Sequence, residues 1–419
     1  ADRFANGKFP AQRKAIREAI EDPSNPYYAY VRHVICDVDP GVLKTFAVNF
    51  FIHANLVGGP IQEAMRAKYH CNIPWAILLD PTSACNLQCI GCWAAEYGNK
   101  LNLSFEELDD IVRQGKEMGV YFYLFAGGEP LIRKADILRL CKKHDDCMFT
   151  AFTNGTLIDE AFADEMLQVK NFAPAITLEG FGEATDSRRG AGVYDKVLKA
   201  MKILHDRKLI YGISCCYTSA NYEAITSEEY WDMMIENGAY FVWYFHYMPV
   251  GNDADPSLLP SPEQRELVCK RIRNYRSTRP LFAIDFQNDG EYVGGCIAGG
   301  RSYLHINANG DADPCAFIHY ADSNIREKSL LDIMRSPLFM AYHDGQPFNE
   351  NMMRPCPMLE NPEKLREIVQ KTGAKSTDLQ SPETAEHLCA KCDAYAARWE
   401  PKAAELWEKR KAQKSAEKS

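Results

Sequence analysis

The chain has 419 residues, of which 46% are hydrophobic, which is enough for a large core and two or three structural units. Its net charge of −9 offers no basic footprint for nucleic acid. Fifteen cysteines are an odd number and too sparse for a small disulfide scaffold, and several stand singly in apolar runs, as thiols do in a reducing compartment. The first residues are charged and include no apolar run, so we expect no signal peptide and a cytoplasmic protein.

Three stretches of the chain differ in character. Residues 1–72 are typical of helices broken by proline and glycine. Residues 73–288 alternate apolar runs with amphipathic helices, and the six runs lie at 75–79, 121–125, 148–152, 175–178, 210–217 and 240–247. This alternation predicts an α/β fold, with parallel strands closed into a partial (β/α)6 TIM-like barrel.

The last stretch, residues 289–419, has a different pattern. Two apolar runs at 303–306 and 312–318 flank Asn309-Gly310, a pair that favours a tight turn, so they predict a hairpin. Irregular, proline-rich sequence follows it. A final helix is predicted from about Asp393 to Lys414.

The segment Val42 to Val57 is the most apolar in the chain and is too short to span a bilayer. Its pattern predicts a helix packed on the barrel. The alternative is a surface for a hydrophobic substrate or for peripheral membrane contact.

The most informative motif is a group of three closely spaced cysteines just after the first apolar run, Cys85, Cys89 and Cys92. Thiolates at this C-x3-C-x2-C spacing can hold three irons of a [4Fe–4S] cube, and the fourth iron then has no protein ligand. An open metal position can bind a substrate or a cofactor, so the motif indicates a catalyst. A zinc knuckle and a chance group of buried cysteines are the alternatives.

The motif resembles that of the radical S-adenosylmethionine (radical SAM) superfamily over about residues 73–288, and the tail resembles the SPASM/Twitch extension. The resemblance implies that SAM binds the open iron and yields a 5′-deoxyadenosyl radical, which abstracts hydrogen from carbon. It also implies a small flavodoxin- or ferredoxin-type protein as electron donor. One departure is Gly91, where the family usually has an aromatic residue; here Trp93 follows the third cysteine instead. A similar Gly-Cys form occurs in family members that act on hopanoid lipids.

Further matches follow the next two predicted strands, where a parallel barrel places its active site. The alternative for each motif taken alone is an ordinary strand-to-helix turn. The motifs occur, however, in the same order along the chain as in the family. The GGEP motif is implied to bind the SAM ammonium through backbone carbonyls and Glu129, with glycines that allow close approach. The residues of the GGEP motif and of the TNG-like turn implied in SAM binding are Gly127, Gly128, Glu129, Pro130, Thr153 and Asn154.

Later strand ends supply weaker candidates for the same cofactor. Glu179 stands where relatives carry Ser-x-Asp-Gly and can bond SAM or substrate, the alternative being a solvated loop carboxylate. Arg188 or Arg189 can pair with the SAM carboxylate, although surface arginines are common. Met248 lies in a segment that can offer backbone contacts to adenine, and His246 is more typical of a satisfied core histidine than of a base.

Cys215 and Cys216 are adjacent on the predicted fifth strand, so their side chains point to opposite faces. One of them therefore faces the barrel interior. A thiol there can return a hydrogen atom to a substrate radical, so both join the candidate catalytic residues with the cluster cysteines and Glu179. A small core residue is the alternative.

The tail holds Cys296, Cys315, Cys356, Cys389 and Cys392. The G-x4-C spacing that ends at Cys315 resembles SPASM/Twitch domains, and Cys389 and Cys392 form a CxxC chelate. Five cysteines suffice for one auxiliary [4Fe–4S] cluster, with Cys296 and Cys315 as the firmer ligands and the other three competing for two places. A structural zinc site is the alternative.

The substrate is the least determined feature. The apolar segment and the Gly-Cys motif favour a lipid or another hydrophobic molecule, by analogy only. A peptide (RiPP) maturase and a small-molecule dehydrogenase are the alternatives. A non-catalytic iron–sulfur electron carrier or a zinc-stabilised binding protein is the alternative of another class, against which the GGEP and TNG matches count.

Overall fold

The computed structural model describes residues 10–94 and 97–416. Its strands are β1 (Ala76–Leu79), β2 (Phe122–Phe125), β3 (Met148–Thr153), β4 (Phe172–Thr177), β5 (Gly212–Tyr217), β6 (Phe241–His246), β7 (Phe282–Asp285), β8 (Tyr303–Ile306), β9 (Ala312–Asp313), β10 (Tyr320–Ala321) and β11 (Lys375–Ser376). Its α-helices are α1 (Pro10–Glu21), α2 (Pro26–Asp37), α3 (Pro40–Phe46), α4 (Gly58–Tyr69), α5 (Phe105–Glu117), α6 (Lys134–Lys143), α7 (Glu160–Val169), α8 (Glu183–Arg189), α9 (Val193–Asp206), α10 (Tyr222–Ile225), α11 (Glu228–Glu236), α12 (Pro262–Thr278), α13 (Gly290–Val293), α14 (Leu330–Met334), α15 (Pro337–Gly345), α16 (Pro362–Thr372) and α17 (Ala385–Ala416). A π-helix covers Ala47–Val57, and 3₁₀ turns cover Pro130–Arg133 and Pro256–Leu258.

The described residues form a nine-stranded sheet in the order β7-β6-β5-β4-β3-β2-β1-β8-β9, and strands β1 to β8 run parallel. The predicted α/β partial barrel is therefore confirmed, and the six predicted runs overlap β1 to β6. The sheet continues beyond them, because β7 follows β6 and β8 pairs with the open edge of β1, with Tyr303 opposite Ala76. The predicted division at residue 288 thus runs through the sheet.

The predicted hairpin is present, but its second strand, β9, is shorter than its first, β8. Strand β8 pairs antiparallel with β9 over only two residues, His305 opposite Asp313 and Ile306 opposite Ala312. The second strand is shorter than predicted because the chain turns back at Cys315, whose carbonyl accepts a hydrogen bond from the Ile318 amide at 2.9 Å.

The barrel interior is hollow. On β6, Val242 and Tyr244 are buried beneath the outer helices, whereas Trp243 and Phe245, which face inward, are only half-buried. Cys216, an inward residue of β5, is half-buried too. Because successive residues of a strand face opposite sides, this alternation means that the inner side is not filled by side chains as in a closed (β/α)8 barrel. The space can hold a ligand.

The apolar segment 42–57 forms the end of α3 and the π-helix, and one of its faces packs against the barrel as predicted. The ring of Phe50 lies 5.6 Å from that of Trp75 and 5.3 Å from that of Phe122. On the outer face, Phe51 is 53% exposed and Ile52 44%. Among residues 10–94 and 97–416, no helix combines the length and the apolar character that crossing a membrane requires. Peripheral membrane contact stays a prediction.

The C-terminal helix α17 begins at Ala385, eight residues before the predicted start. The prediction was too short because the CxxC pair belongs to the helix: Cys389 and Cys392 lie one turn apart on its buried face. Tyr395, further along that face, anchors the helix to the barrel. Its hydroxyl lies 2.8 Å from Nε2 of His246 and 3.0 Å from Nη1 of Arg265.

Candidate active site

A cavity of about 290 Å³ opens at the carboxyl ends of the strands and continues into the barrel interior. Cys85, Cys89 and Cys92 lie on its wall. The other predicted site residues on the wall are Gly127, Gly128, Glu129, Thr153, Asn154, Arg188, Arg189, Cys216 and Met248. Pro130, Glu179 and Cys215 stand behind it.

The Glu129 side chain braces two turns of the site. Its Oε1 accepts hydrogen bonds from the Leu131 amide at 2.9 Å and the Thr153 hydroxyl at 2.6 Å, and its Oε2 accepts one from the Asn154 amide at 2.8 Å. Burial raises the pKa of Glu129, and these hydrogen bonds oppose that effect. The carboxylate therefore ties the GGEP loop to the TNG turn, and its predicted contact with the SAM ammonium stays a prediction.

The second glycine of the GGEP loop is required by a close backbone approach. The Gly128 amide donates to the Thr82 carbonyl at 3.1 Å, and the next amide donates to the Ala84 carbonyl at 2.8 Å. A Cβ on Gly128 would lie 2.2 Å from the Ala84 oxygen. The glycine thus lets this loop pack against the residues that lead into Cys85, and its predicted close approach to a ligand stays a prediction.

We expect Gly128→Ala to displace the loop that carries Cys85, at a cost of about 1–3 kcal/mol for overpacking. Iron bound per chain after anaerobic reconstitution should fall relative to the parent protein. Gly59→Ala is the matched control, because a Cβ at Gly59 meets nothing within 4 Å. Equal iron content in both variants would contradict the assigned role of Gly128.

The cysteine loop is also held from the TNG turn. The Asn154 side chain donates to Oδ1 of Asn86 at 2.8 Å, and the Asn86 side chain donates to the Thr156 hydroxyl at 2.8 Å. Asn86 was not predicted as a site residue, and its place next to Cys85 was the available signal. Its position fixes the loop relative to β3.

The structure explains why glycine precedes the third cysteine. Gly91 has φ of +66°, and a Cβ there would lie 2.8 Å from the ring of Tyr247. The Ile90 amide donates to the Arg188 carbonyl at 2.9 Å, which holds the loop in this course. Aromatic contacts beside the cysteines therefore come from Tyr247 and from Trp93, whose ring packs edge-on against that of His305 at 5.8 Å.

Glu179 forms a buried cluster with two arginines. Its Oε1 lies 2.7 Å from Nη1 of Arg188 and 2.5 Å from Nη2 of Arg189, and the carboxylate is fully buried, so it is not a solvated loop group. Burial alone would raise the pKa of Glu179, but the two guanidinium groups hold it below its ordinary value. One of the two arginines was predicted to pair with the SAM carboxylate, and in the structure both pair with Glu179.

The guanidinium of Arg189 also lies beside the cysteine loop. Its Nη1 lies 3.8 Å from Sγ of Cys89, and its buried Nε has no hydrogen-bond partner among the described residues. Burial raises the pKa of Cys89, whereas the charge of Arg189 opposes that effect. A guanidinium on the cavity wall beside the cysteines is chemically suited to an anionic group, and its predicted contact with the SAM carboxylate stays a prediction.

The two adjacent cysteines of β5 face opposite ways. Sγ of Cys215 lies 3.3 Å from the hydroxyl of Tyr230, beneath α11, while Cys216 lies on the cavity wall. Only Cys216 therefore reaches the space that a substrate can enter. Cys215 fits the alternative of a small core residue.

Both nitrogens of His246 are engaged within the protein. Nδ1 lies 2.6 Å from the Tyr247 carbonyl, and Nε2 lies 2.8 Å from the Tyr395 hydroxyl. Burial lowers the pKa of His246 well below its usual value, so the ring is neutral. This agrees with a satisfied core histidine. Met248 lies close by, on the walls of both the first cavity and a second one.

The second cavity, of about 110 Å³, is lined by three of the tail cysteines, Cys296, Cys315 and Cys356. The hydroxyl of Tyr342 is buried there without a hydrogen-bond partner among the described residues. Burial raises the pKa of Tyr342, and the next largest contributions come from those three thiols and Cys389. A donor in a cavity lined by three thiols fits a cluster whose sulfur atoms accept hydrogen bonds.

Within the described ranges 10–94 and 97–416, no three His, Cys, Asp or Glu side chains lie close enough to hold one metal ion. In a [4Fe–4S] cube each thiolate binds a different iron, so its ligands need not meet at a single point.

A buried charged network behind the cysteine loop was not predicted. Nε2 of His305 lies 2.9 Å from Asp80, at the end of β1, and Nδ1 lies 3.2 Å from Asp313 on β9. Burial opposes the charge, but the two carboxylates raise the pKa of His305 to about 10. The sequence feature that could have indicated this network is His305, a histidine inside an apolar run. It links the tail hairpin to the barrel directly beneath Trp93.

The inner part of the first cavity has an aromatic wall, which sequence reasoning also missed. Phe152 packs 4.9 Å from Trp243 and 5.5 Å from Phe245, and Phe245 lies 5.2 Å from Phe286. Phe317 of the tail lies 6.4 Å from Phe245 and completes the wall. Aromatic residues at alternate positions of the β6 run were the available signal.

Comparisons with known proteins agree with this geometry. Residues 79–235 match the radical SAM superfamily model, and residues 296–358 match the SPASM model, an iron-sulfur cluster-binding domain. The chain is 27% identical to the PqqA peptide cyclase of Granulibacter bethesdensis over 68% of this chain and 79% of that protein. It is 26% identical to the Fe-coproporphyrin III synthase of Methanosarcina barkeri over 52% of this chain and 57% of that protein.

A solved structure shares the fold. The crystal structure of Streptococcus suis SuiB bound to the precursor peptide SuiA superposes with a TM-score of 0.59 at 22% identity, covering 74% of this chain and 77% of that one. The three cysteines at the mouth of the hollow barrel, the second cysteine-lined cavity and both domain matches lead to one conclusion. The chain belongs to the radical SAM superfamily and is a SPASM-containing enzyme whose cofactors are [4Fe–4S] clusters and SAM.

Proposed function

We propose that this enzyme abstracts a hydrogen atom from an apolar or aromatic side chain of a peptide substrate. The observation that carries the proposal is the continuous cavity, with three thiols at its mouth and an aromatic wall inside. A peptide cyclase and a structure bound to a precursor peptide are among the proteins similar to this chain. These relatives support a peptide better than the lipid favoured by the apolar segment.

Each residue at the mouth has a proposed part. Cys85, Cys89 and Cys92 hold the cluster that binds SAM, which when bound supplies the 5′-deoxyadenosyl radical. Arg189, which lies on the cavity wall, binds the SAM carboxylate, and Glu179 keeps that guanidinium in place. The brace made by Glu129, Thr153 and Asn154 fixes the two turns that flank SAM.

The inner cavity is proposed to select the reacting group. The wall of Phe152, Trp243, Phe245 and Phe286 has no charged member, so an unpaired charge placed there loses its hydration without compensation. The rings also exclude water from the reacting carbon, which protects a radical from side reactions. Cys216 faces the same space and stays a candidate for returning a hydrogen atom to the substrate.

The tail is proposed to hold one auxiliary cluster. Cys296, Cys315 and Cys356 line its cavity, and Cys389 or Cys392, both on the buried face of α17, is the proposed fourth ligand. The other of these two is then the spare cysteine. A small flavodoxin- or ferredoxin-type protein is the proposed electron donor to the enzyme.

A second candidate substrate is the alkyl chain of a lipid. The same aromatic wall accepts it, and Phe51 and Ile52 expose an apolar face on the helix whose Phe50 contacts the inner end of the barrel. This face offers a place where a lipid surface can meet the protein. The two candidate substrates differ in whether the exposed face of Phe51 and Ile52 is needed for substrate binding: a lipid would need it, and a peptide would not.

Deuterium transfer separates the candidates. Anaerobic enzyme with SAM and dithionite is incubated with the peptide fraction or the lipid fraction of cells grown on a fully deuterated medium. We expect deuterium in 5′-deoxyadenosine, measured by mass spectrometry, with the peptide fraction. Phe245→Asp should lower this transfer because it places a carboxylate in the aromatic wall.

Ile52→Asp is the matched control, on the exposed outer face of the π-helix. It should leave transfer from the peptide fraction unchanged. Transfer only from lipid, lost in Ile52→Asp, would replace the peptide proposal with the lipid one. SAM cleavage without deuterium from either fraction would contradict both.

A further inference from the structure

The two cavities share a wall, and Tyr303 is part of it. Tyr303, at the start of β8, lines both the first cavity and the second, as do Phe286 and Phe317. Its ring packs edge-on against Phe286 at 6.1 Å. One face of the residue therefore borders the proposed substrate space, while its hydroxyl reaches the side of the tail cysteines.

The Tyr303 hydroxyl contacts a sulfur. It lies 2.7 Å from Sγ of Cys315, with the phenol as donor. A phenol O–H is a donor and a thiolate can only accept, so the hydrogen bond runs from Tyr303 to the sulfur. The contact is fixed by the fold, because β8 pairs with β1 on one side and with β9, two residues before Cys315, on the other.

We propose that Tyr303 is a positioning residue that raises the reduction potential of the auxiliary cluster through its hydrogen bond to Cys315. The inference rests on the proposed function, in which Cys315 is a cluster ligand. Reduction adds negative charge to the cluster and its thiolates, so a donor to one thiolate stabilises the reduced form more than the oxidised form. Hydrogen bonds to cluster sulfur are among the factors that set such potentials.

Tyr303 lies between the tail cysteines and the proposed substrate space, because it lines both cavities and contacts Cys315. With a higher potential, the cluster that the tail cysteines would hold would accept an electron more readily. In the second cavity, the unpaired hydroxyl of Tyr342 provides another donor, so the pocket is built to favour added negative charge.

The test is a redox titration of the full chain, followed by EPR, in a Cys85/Cys89/Cys92→Ala parent so that only the tail cluster contributes. Tyr303→Phe should move the midpoint to a more negative potential. If the hydrogen bond changes the ratio of reduced to oxidised cluster tenfold, the shift is about 59 mV for one electron. Iron content, about four per chain, is measured in each sample.

Tyr230→Phe in the same parent is the matched control. It removes another buried tyrosine hydroxyl that touches a cysteine sulfur, at 3.3 Å from Cys215, but far from both sets of candidate ligands along the chain. Its midpoint should equal that of the parent. An unshifted midpoint in Tyr303→Phe, or an equal shift in both variants, would overturn the proposal.

A second measurement leaves Tyr303 in place. In the reduced parent that also carries Tyr342→Phe, which removes the other hydroxyl of the second cavity, ENDOR spectroscopy should detect a strongly coupled proton at the tail cluster that exchanges in D₂O. The absence of this proton would overturn the proposal even if Tyr303→Phe loses its iron. A parent that binds no iron would overturn it as well, because Cys315 would then not be a ligand. SAM cleavage by the wild-type chain would still stand, so this failure is distinct from failure of the proposed function.

Discussion

Replacing Cys85, Cys89 and Cys92 together with alanine should abolish reductive cleavage of SAM and remove about four irons per chain, while about four remain in the tail. The reason is that these thiols line the mouth of the barrel cavity, whereas the tail cysteines line a different cavity. Iron, acid-labile sulfide and 5′-deoxyadenosine are measured after anaerobic reconstitution. The parent should bind about eight irons.

Cys36→Ala is the matched control, because Cys36 is an exposed cysteine on α2 that belongs to neither cavity. It should retain all the iron and the full rate of SAM cleavage. A parent with four irons that falls to none in the triple variant would leave the tail without an iron cluster. Iron content unaffected by the triple substitution would mean that the motif is structural.

Glu179→Gln should destabilise the protein by about 3–5 kcal/mol, the usual cost of breaking a buried ion pair by removing one partner. The carboxylate is fully buried and holds both Arg188 and Arg189, so the amide leaves two buried guanidinium charges without a counter-charge. Urea unfolding of the apo-protein at pH 7 measures the change. Affinity for SAM should also fall, because Arg189 loses its support.

The same carboxylate makes a definite contribution to the pH dependence of stability. Its pKa in the folded protein lies below the ordinary value of 4.5, because the two arginines outweigh the effect of burial. The ionised form therefore stabilises the fold above about pH 4.5, and this contribution is lost as the pH falls through the folded-state pKa. The difference in stability between wild type and Glu179→Gln should shrink below pH 4.5.

Glu117→Gln provides the comparison for this substitution. Glu117 pairs with Arg113 on α5, but its side chain is 66% exposed, so its loss should cost less than about 1 kcal/mol. Equal effects of the two substitutions at pH 7 would contradict the view that the Glu179 cluster is a buried electrostatic support of the site.

The parts of the fold that the sequence predicted are those with a local signal. Short apolar runs between amphipathic helices indicated β1 to β6, because buried parallel strands need apolar residues on both faces. Most of the candidate residues on the cavity wall were found because they follow strand ends in a barrel. The alternation of side chains along a strand predicted that either Cys215 or Cys216 faces the interior, and the structure shows that it is Cys216.

Other features depend on contacts between distant segments and left no local signal. The pairing of β8 with β1 brings together residues on either side of the whole barrel, and nothing near Tyr303 specifies it. The same holds for the pairing of Glu179 with both arginines, which the sequence presented as independent ligands of SAM. Helix α17 was predicted too short because its first turns carry cysteines and charged residues rather than an obvious apolar stripe.

The placement of β8 also bears on how the chain is made. Until the ribosome has delivered residues 303–306, the edge of β1 exposes unpaired amides and carbonyls, which are a template for pairing with another chain. During synthesis, the edge of β1 therefore stays unpaired and open to aggregation until β8, a strand of the cluster-binding tail, has been made. A shortened chain that ends at residue 288 would leave that edge of β1 unpaired, so β8 covers an edge of the barrel sheet that would otherwise be open to another chain.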